Sequence, residues 1–139
     1  MISNTRIIDL TACSDDKFGS LVALEGDKSI PFQVRRVYYI YGVPGDETRG
    51  HHSHNELEQV LICVSGSVTI VVSTPGAEEE VLLDSPTKGL YIGPMVWRVM
   101  KDFSHDAVLL VLASEYFDEK DYIRGHDSYI VKAKKYFQK

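Results

Sequence analysis

Apolar and polar residues alternate in short runs along most of this 139-residue chain, and a two-residue period is the mark of half-buried β-strands. The pattern predicts strands over 5–10, 20–25, 33–41, 61–64, 68–73, 80–84, 90–92, 97–100 and 107–113, the last being the most apolar run. Polar, Gly- or Pro-bearing segments at 11–19, 26–28, 43–48, 65–67, 75–79, 85–89 and 102–106 read as turns. Gly66 between 61–64 and 68–73 predicts a hairpin. Short strands separated by turns about every eight to twelve residues predict an all-β sandwich or barrel. The period changes after 114, and Tyr129, Ile130, Ala133, Tyr136 and Phe137 fall near helical spacing. A short C-terminal helix over 128–139 is therefore expected. No linker or repeat interrupts the chain, so one domain over 1–139 is expected.

Within 33–41, alternation puts Arg36, Tyr38 and Ile40 on one face and Arg35, Val37, Tyr39 and Tyr41 on the other. Two arginines in a strand that otherwise reads as core call for a chemical reason. A second polar intrusion is larger. The run Arg49-Gly50-His51-His52-Ser53-His54-Asn55-Glu56-Leu57-Glu58-Gln59 holds three of the five histidines and leads straight into an apolar strand. If it is extended, His52, His54, Glu56 and Glu58 share one face, and His51, Ser53 and Gln59 the other. Two imidazoles side by side with a nearby carboxylate can hold a divalent metal. The same imidazoles without metal can move protons near neutral pH.

Composition narrows the partners. A net charge of −5 argues against nucleic acid and anionic membranes, which attract basic surfaces. No apolar stretch reaches membrane-spanning length and no secretory signal opens the chain, so a cytoplasmic protein is expected. Cys13 and Cys63 are then free thiols, Cys63 as a small core residue.

Five blocks, in order, carry a resemblance: Arg35-Arg36-Val37-Tyr38-Tyr39-Ile40, Arg49-Gly50-His51-His52-Ser53-His54, Leu57-Glu58-Gln59-Val60-Leu61, Gly89-Leu90-Tyr91-Ile92-Gly93-Pro94-Met95-Val96-Trp97, and the stretch from Leu112-Ala113-Ser114-Glu115 to Asp121-Tyr122-Ile123-Arg124. Together they resemble the nucleotide-sugar 3,4-ketoisomerases of the cupin superfamily, over nearly all of the chain after Ser20. The resemblance implies a cupin jelly roll and a substrate, dTDP-4-keto-6-deoxy-D-glucose, converted to its 3-keto isomer on the way to a 3-amino-3,6-dideoxy sugar. It implies His52 and His54 as the acid/base pair. Tyr38, on the face of Arg36, is a candidate to hydrogen-bond the sugar or its enediolate. Arg36 and Arg49 are candidate diphosphate ligands, since guanidinium groups give bidentate, permanently charged contacts, and Gln59, Tyr91 and Trp97 are candidate contacts to the sugar or base. Metal-binding cupins usually place another histidine where Trp97 stands, so His52, His54 and Glu58 fall one ligand short, and neither metal nor other cofactor is expected. A homodimer is implied, with the N-terminal strand a candidate for exchange between partners. The chain departs from the family at Lys17-Phe18-Gly19-Ser20, where members commonly carry an arginine. Both a galacto- and a gluco-configured product therefore stay open. Competing readings are a dTDP-sugar 3,5-epimerase-like cupin, a metallo-cupin, and a sugar-binding sensor without turnover.

Overall fold

The structure, a computed structural model, describes residues 1–138. Lys139, the last residue of the expected helix, lies outside them. Among the described residues twelve strands form: β1 (Thr5–Asp9), β2 (Ala12–Asp15), β3 (Gly19–Val22), β4 (Arg36–Tyr41), β5 (Arg49–His54), β6 (Gln59–Ser65), β7 (Val68–Thr74), β8 (Ala77–Leu83), β9 (Lys88–Ile92), β10 (Trp97–Lys101), β11 (Val108–Ala113) and β12 (Tyr122–Ile123). One helix follows, α1 (His126–Phe137), after a single 3-10 turn at Glu119–Asp121. The strands pair antiparallel into two five-stranded sheets, ordered β1-β9-β6-β11-β4 and β12-β5-β10-β7-β8, with β2 and β3 as a separate hairpin. Two sheets face to face with these crossovers make the expected jelly-roll sandwich.

Alternation decides what each face covers. The inner faces contribute Leu61, Cys63, Leu90, Ile92, Leu109 and Val111 from one sheet, and Val68, Ile70, Val72, Leu83 and Met100 from the other, all buried in one cluster. Behind the first sheet, Val60, Ile62 and Leu112 pack on Leu10, Ile30 and Phe32 from the segment ahead of β4. Behind the second, Trp97 packs on Tyr129 and Ala133 of α1 and on Ile123. The Tyr129 hydroxyl donates to the Met95 carbonyl at 2.8 Å, which satisfies its polar end.

Several expected elements differ. The turn at 11–19 is a hairpin of its own: Asp15 Oδ1 accepts the backbone N–H groups of Lys17 and Phe18 at 2.7 and 2.9 Å and reverses the chain there. The strand expected from 33 begins at Arg36, and the helix expected from 128 begins at His126. The expected hairpin around Gly66 does not form, because β6 and β7 leave that turn for opposite sheets. Facing one another across the sandwich lets both strands bury their inner residues in one core, whereas pairing side by side would use only one sheet. Gly66 sits at φ +68°, and a Cβ there would stand 2.9 Å from the backbone Cα of Ala107 and run into the Ser104 and Asp106 side chains. The corner thus requires glycine. β7 instead pairs with β8 around Pro75 and Gly76.

Candidate active site

The histidine strand β5 reaches the sandwich interior through an irregularity. Gly50 (φ +91°) and His51 (φ +55°) are left-handed, and the register against β10 shifts between Arg98 and Val99. This bulge places His52 directly across from Arg98. Gly50 is needed there, since a Cβ would stand 3.0 Å from the Arg98 carbonyl oxygen. His51 turns outward and meets the Thr48 hydroxyl at 2.8 Å. His52 and His54 point inward with ring centroids 4.9 Å apart, and Tyr122 lies against both at 5.0 and 4.3 Å.

The face assignment beyond His54 needs correction. β5 ends there, and the Asp121 carboxylate holds the following turn by accepting the N–H groups of Glu56 (3.0 Å) and Leu57 (3.2 Å). The break resets the alternation. Glu58 points away from the histidines and accepts the Tyr91 hydroxyl at 2.7 Å, while Gln59 enters the interior. The three-residue set His52, His54 and Glu58 is therefore not assembled.

Two cavities meet at this centre. One, of about 360 Å³, is lined by Arg36, Tyr38, Arg49, His52, Tyr122 and Arg124 among others. The second, of about 450 Å³, receives His54, Glu56, Glu115, Asp118 and Asp121, and shares the wall formed by Arg36 and Tyr122. Of the expected site residues, His52, His54, Tyr38, Arg36 and Arg49 border these cavities. Gln59 is fully buried just behind the wall. Its Nε2 donates to Tyr38 Oη at 3.0 Å. Tyr91 and Trp97 line neither cavity. Tyr91 lies on the outer side of the first sheet with Arg6 over its ring, and Trp97 faces outward under α1, because on β10 it is the inward neighbour Arg98 that takes the interior position. His105 and His126 are exposed, as expected, with His126 edge-on to Trp97. Phe18, 81% exposed at the hairpin tip, lines neither cavity.

Arg98 is the residue that sequence reasoning passed over. It is the largest fully buried side chain, 0% exposed, and donates to Gln59 Oε1 and, at 3.1 Å, to the Val96 carbonyl. Burial lowers its pKa to about 10, which leaves it cationic at neutral pH. A charge inside the apolar run from Val96 to Met100 was the available signal, of the same kind that drew attention to Arg36. Tyr122, Arg124 and Asp121 were also missed as site residues, since only the pairing of β12 with β5 brings them there.

These surroundings set the protonation states. His52 is lowered to about 4, first by burial and then by Arg98, against the opposing pull of its bond to Gly50. His54 is lowered to about 2, by burial, then Arg98, then His52. Both are neutral imidazoles at pH 7. The Gly50 carbonyl lies 3.0 Å from His52 Nδ1 and can only accept, so Nδ1 carries the proton and Nε2 keeps its lone pair. The Asp121 carboxylate stands 3.4 Å from His54 Nδ1 and favours the same tautomer there. Burial raises the Tyr38 hydroxyl, against the lowering effects of Gln59 and Arg98, so it is a neutral donor. Two lone-pair-bearing imidazoles, a phenol and three guanidinium groups can remove a carbon-bound proton from an anionic substrate and stabilise the resulting oxyanion.

Known proteins match most or all of this chain. A family described as "FdtA: WxcM-like, C-terminal" matches residues 3–134. A TDP-4-oxo-6-deoxy-alpha-D-glucose-3,4-oxoisomerase of Aneurinibacillus thermoaerophilus is 52% identical over 124 residues, covering 89% of this chain and 86% of that protein. A mutant of the 3,4-ketoisomerase QdtA from Thermoanaerobacterium thermosaccharolyticum, in complex with TDP-4-keto-6-deoxyglucose, superposes with a TM-score of 0.97 at 51% identity and full coverage of both chains. The WlaRB TDP-quinovose 3,4-ketoisomerase of Campylobacter jejuni follows at TM-score 0.89 and 46% identity, covering 94% of this chain and 99% of that one. Fold, inward histidines and likeness along the chain agree, and the protein belongs to the FdtA family of cupin-type sugar 3,4-ketoisomerases.

Proposed function

We propose that this protein converts dTDP-4-keto-6-deoxy-D-glucose into a dTDP-3-keto-6-deoxyhexose by proton transfer between C3 and C4, without a metal, for the synthesis of 3-amino-3,6-dideoxy sugars. The observation that carries the reading is His52. Its Nε2 lone pair is free and its imidazole is neutral at pH 7. It opens on a cavity whose ionisable lining groups include Arg36, Arg49 and Arg124 and no carboxylate. The neighbouring cavity is rich in carboxylates. A diphosphate is dianionic, so it belongs with the guanidinium groups, which give bidentate and permanently charged contacts. That puts the sugar next to His52.

The steps follow from these positions. The 4-keto group acidifies C3–H; His52 Nε2 takes that proton, and the C–H electrons form a C3=C4 enediolate with negative charge on O4. The Tyr38 hydroxyl and the nearby arginines stabilise this charge. The O3 proton passes to O4, which shifts the negative charge to O3, and a proton delivered to C4 by His52 or through His54 then leaves a ketone at C3 and a hydroxyl at C4. No oxidant or reductant is consumed. Positioned acid–base groups contribute about 10²–10⁴-fold in rate, and His52→Asn is expected to lose about that factor while still binding TDP. Substantial turnover by His52→Asn would contradict the assignment.

A homodimer belongs to the same reading. β4 is a sheet edge, and its outward Val37, Tyr39 and Tyr41 are 55%, 63% and 71% exposed. A second copy seated there would bury them and cover the edge, with the other edge strand, β1, available for exchange. A monomeric mass by light scattering at micromolar concentration would contradict it. No helix among the described residues is long and apolar enough to cross a membrane. Free Cys13 and Cys63 fit a reducing, cytoplasmic setting.

A further inference from the structure

We propose that Gln59 and Arg98 are positioning residues that fix the Tyr38 hydroxyl as a hydrogen-bond donor into the substrate cavity. Three contacts define the chain. Arg98 donates to Gln59 Oε1, Gln59 Nε2 donates to Tyr38 Oη at 3.0 Å, and Tyr38 lines the arginine-rich cavity. Neither Gln59 nor Arg98 lines either cavity, and both are fully buried. They act through Tyr38 and not on the sugar.

The direction of each bond is forced. A guanidinium has donors and no acceptor, so it must face the oxygen end of the Gln59 amide. A flipped amide would set N–H against N–H in a buried site and leave both donors unsatisfied. With the oxygen held, the NH₂ end must face Tyr38, whose oxygen then accepts. The phenol proton is thereby turned away from the protein and left for the substrate. A tyrosine on a sheet face is ordinarily free to accept or donate; here a residue two positions removed from it in the hydrogen-bond chain decides which. The second Arg98 contact, to the Val96 carbonyl at 3.1 Å, anchors the guanidinium to its own strand, so the orientation is built into β10 before any ligand binds. This inference rests on the ketoisomerase reading only for what the donated proton meets, the oxyanion of the enediolate.

The test is a double-mutant cycle on turnover of dTDP-4-keto-6-deoxyglucose, using Gln59→Leu, Tyr38→Phe and both together. Gln59→Leu is expected to lower kcat about ten- to a hundredfold, the scale of a misplaced catalytic group, with KM within about twofold. In the Tyr38→Phe background the same substitution is expected to cost nothing further, since neighbours that act as a unit are non-additive. Additive losses would overturn the proposal. Gln59→Glu preserves shape but accepts from both neighbours, and so turns the phenol proton back toward residue 59. It is expected to lose kcat at least as heavily, and wild-type kcat in this variant would equally overturn the proposal. It also carries the test if Gln59→Leu does not fold. Should the wild type form no 3-keto sugar, the functional reading falls by itself. The chain of bonds is then judged on the neutral Tyr38 Cζ resonance of ¹³C-tyrosine-labelled protein. Arg98→Met is expected to move that resonance in the wild type and not in Gln59→Leu; equal movement in both, or none in either, would overturn it.

Discussion

Acid is the sharpest perturbation of this site, because the two imidazoles are expected to titrate far from an ordinary histidine. His52 stands at about 4, lowered by burial first and Arg98 second. The neutral form is the base, so kcat/KM should hold on the acid side until the pH approaches that value. At pH 5 a group titrating at about 4 is about nine-tenths neutral, whereas an unperturbed histidine at about 6.5 is only about 3% neutral, a contrast of about 30-fold. The assay is kcat/KM for dTDP-4-keto-6-deoxyglucose from pH 4.5 to 8, which reports the free enzyme. A nearly flat profile down to about pH 5 is the expected outcome. Replacing Arg98 by Met removes the second cause of the depression and should move the acid limb upward, toward neutral pH. An acid limb centred between pH 6 and 7 in the wild type, or one that Arg98→Met leaves in place, would refute this account of how the base is kept neutral.

Three further outcomes follow from the same geometry. Stability should decline as pH falls: for both histidines the folded-state pKa lies below the unfolded value of about 6.5, so the unfolded chain binds more protons, and each withdraws up to about 1.4 kcal/mol per pH unit, His52 between about 6.5 and about 4 and His54 down to about 2. Chemical denaturation at pH 7 and pH 5 reads this, and equal midpoints would contradict it. Leu61→Ala, at the centre of the inter-sheet core, should cost about 2–5 kcal/mol, measured the same way; a loss under about 1 kcal/mol would mean that the two sheets are not packed as described. Arg49→Ala should weaken TDP binding about tenfold or more with little effect on kcat, by calorimetry and kinetics, and should make the affinity less salt-dependent.

Much of this was legible in the sequence because strand alternation is a local property. Arg36, Tyr38 and Ile40 share a face as the pattern requires, and so do His52 and His54. The readings that failed depend on where alternation stops. The bulge at Gly50 and His51 and the turn that Asp121 pins after His54 are set by contacts across the sandwich, and together they exchange the places of Glu58 and Gln59. The turn at Gly66 looked like a hairpin since local residues cannot say which sheet a strand joins. Trp97 drew attention as the single tryptophan, yet one position on, Arg98 is the residue that turns into the interior and holds Gln59 behind the site. Tyr122 and Arg124 reach it only by the pairing of a two-residue strand, β12, with β5, which no periodicity announces.

The central claim is proton transfer between C3 and C4, and solvent deuterium reads it directly. Chelator-treated protein is incubated with dTDP-4-keto-6-deoxyglucose in deuterated buffer and followed by proton NMR beside His52→Asn. The account predicts a 3-keto product carrying deuterium at C4, with couplings there that assign the galacto or gluco configuration, and an inert variant. Deuterium at C5 without a 3-keto product, or no reaction until metal is restored, would contradict it in favour of an epimerase or a metallo-cupin.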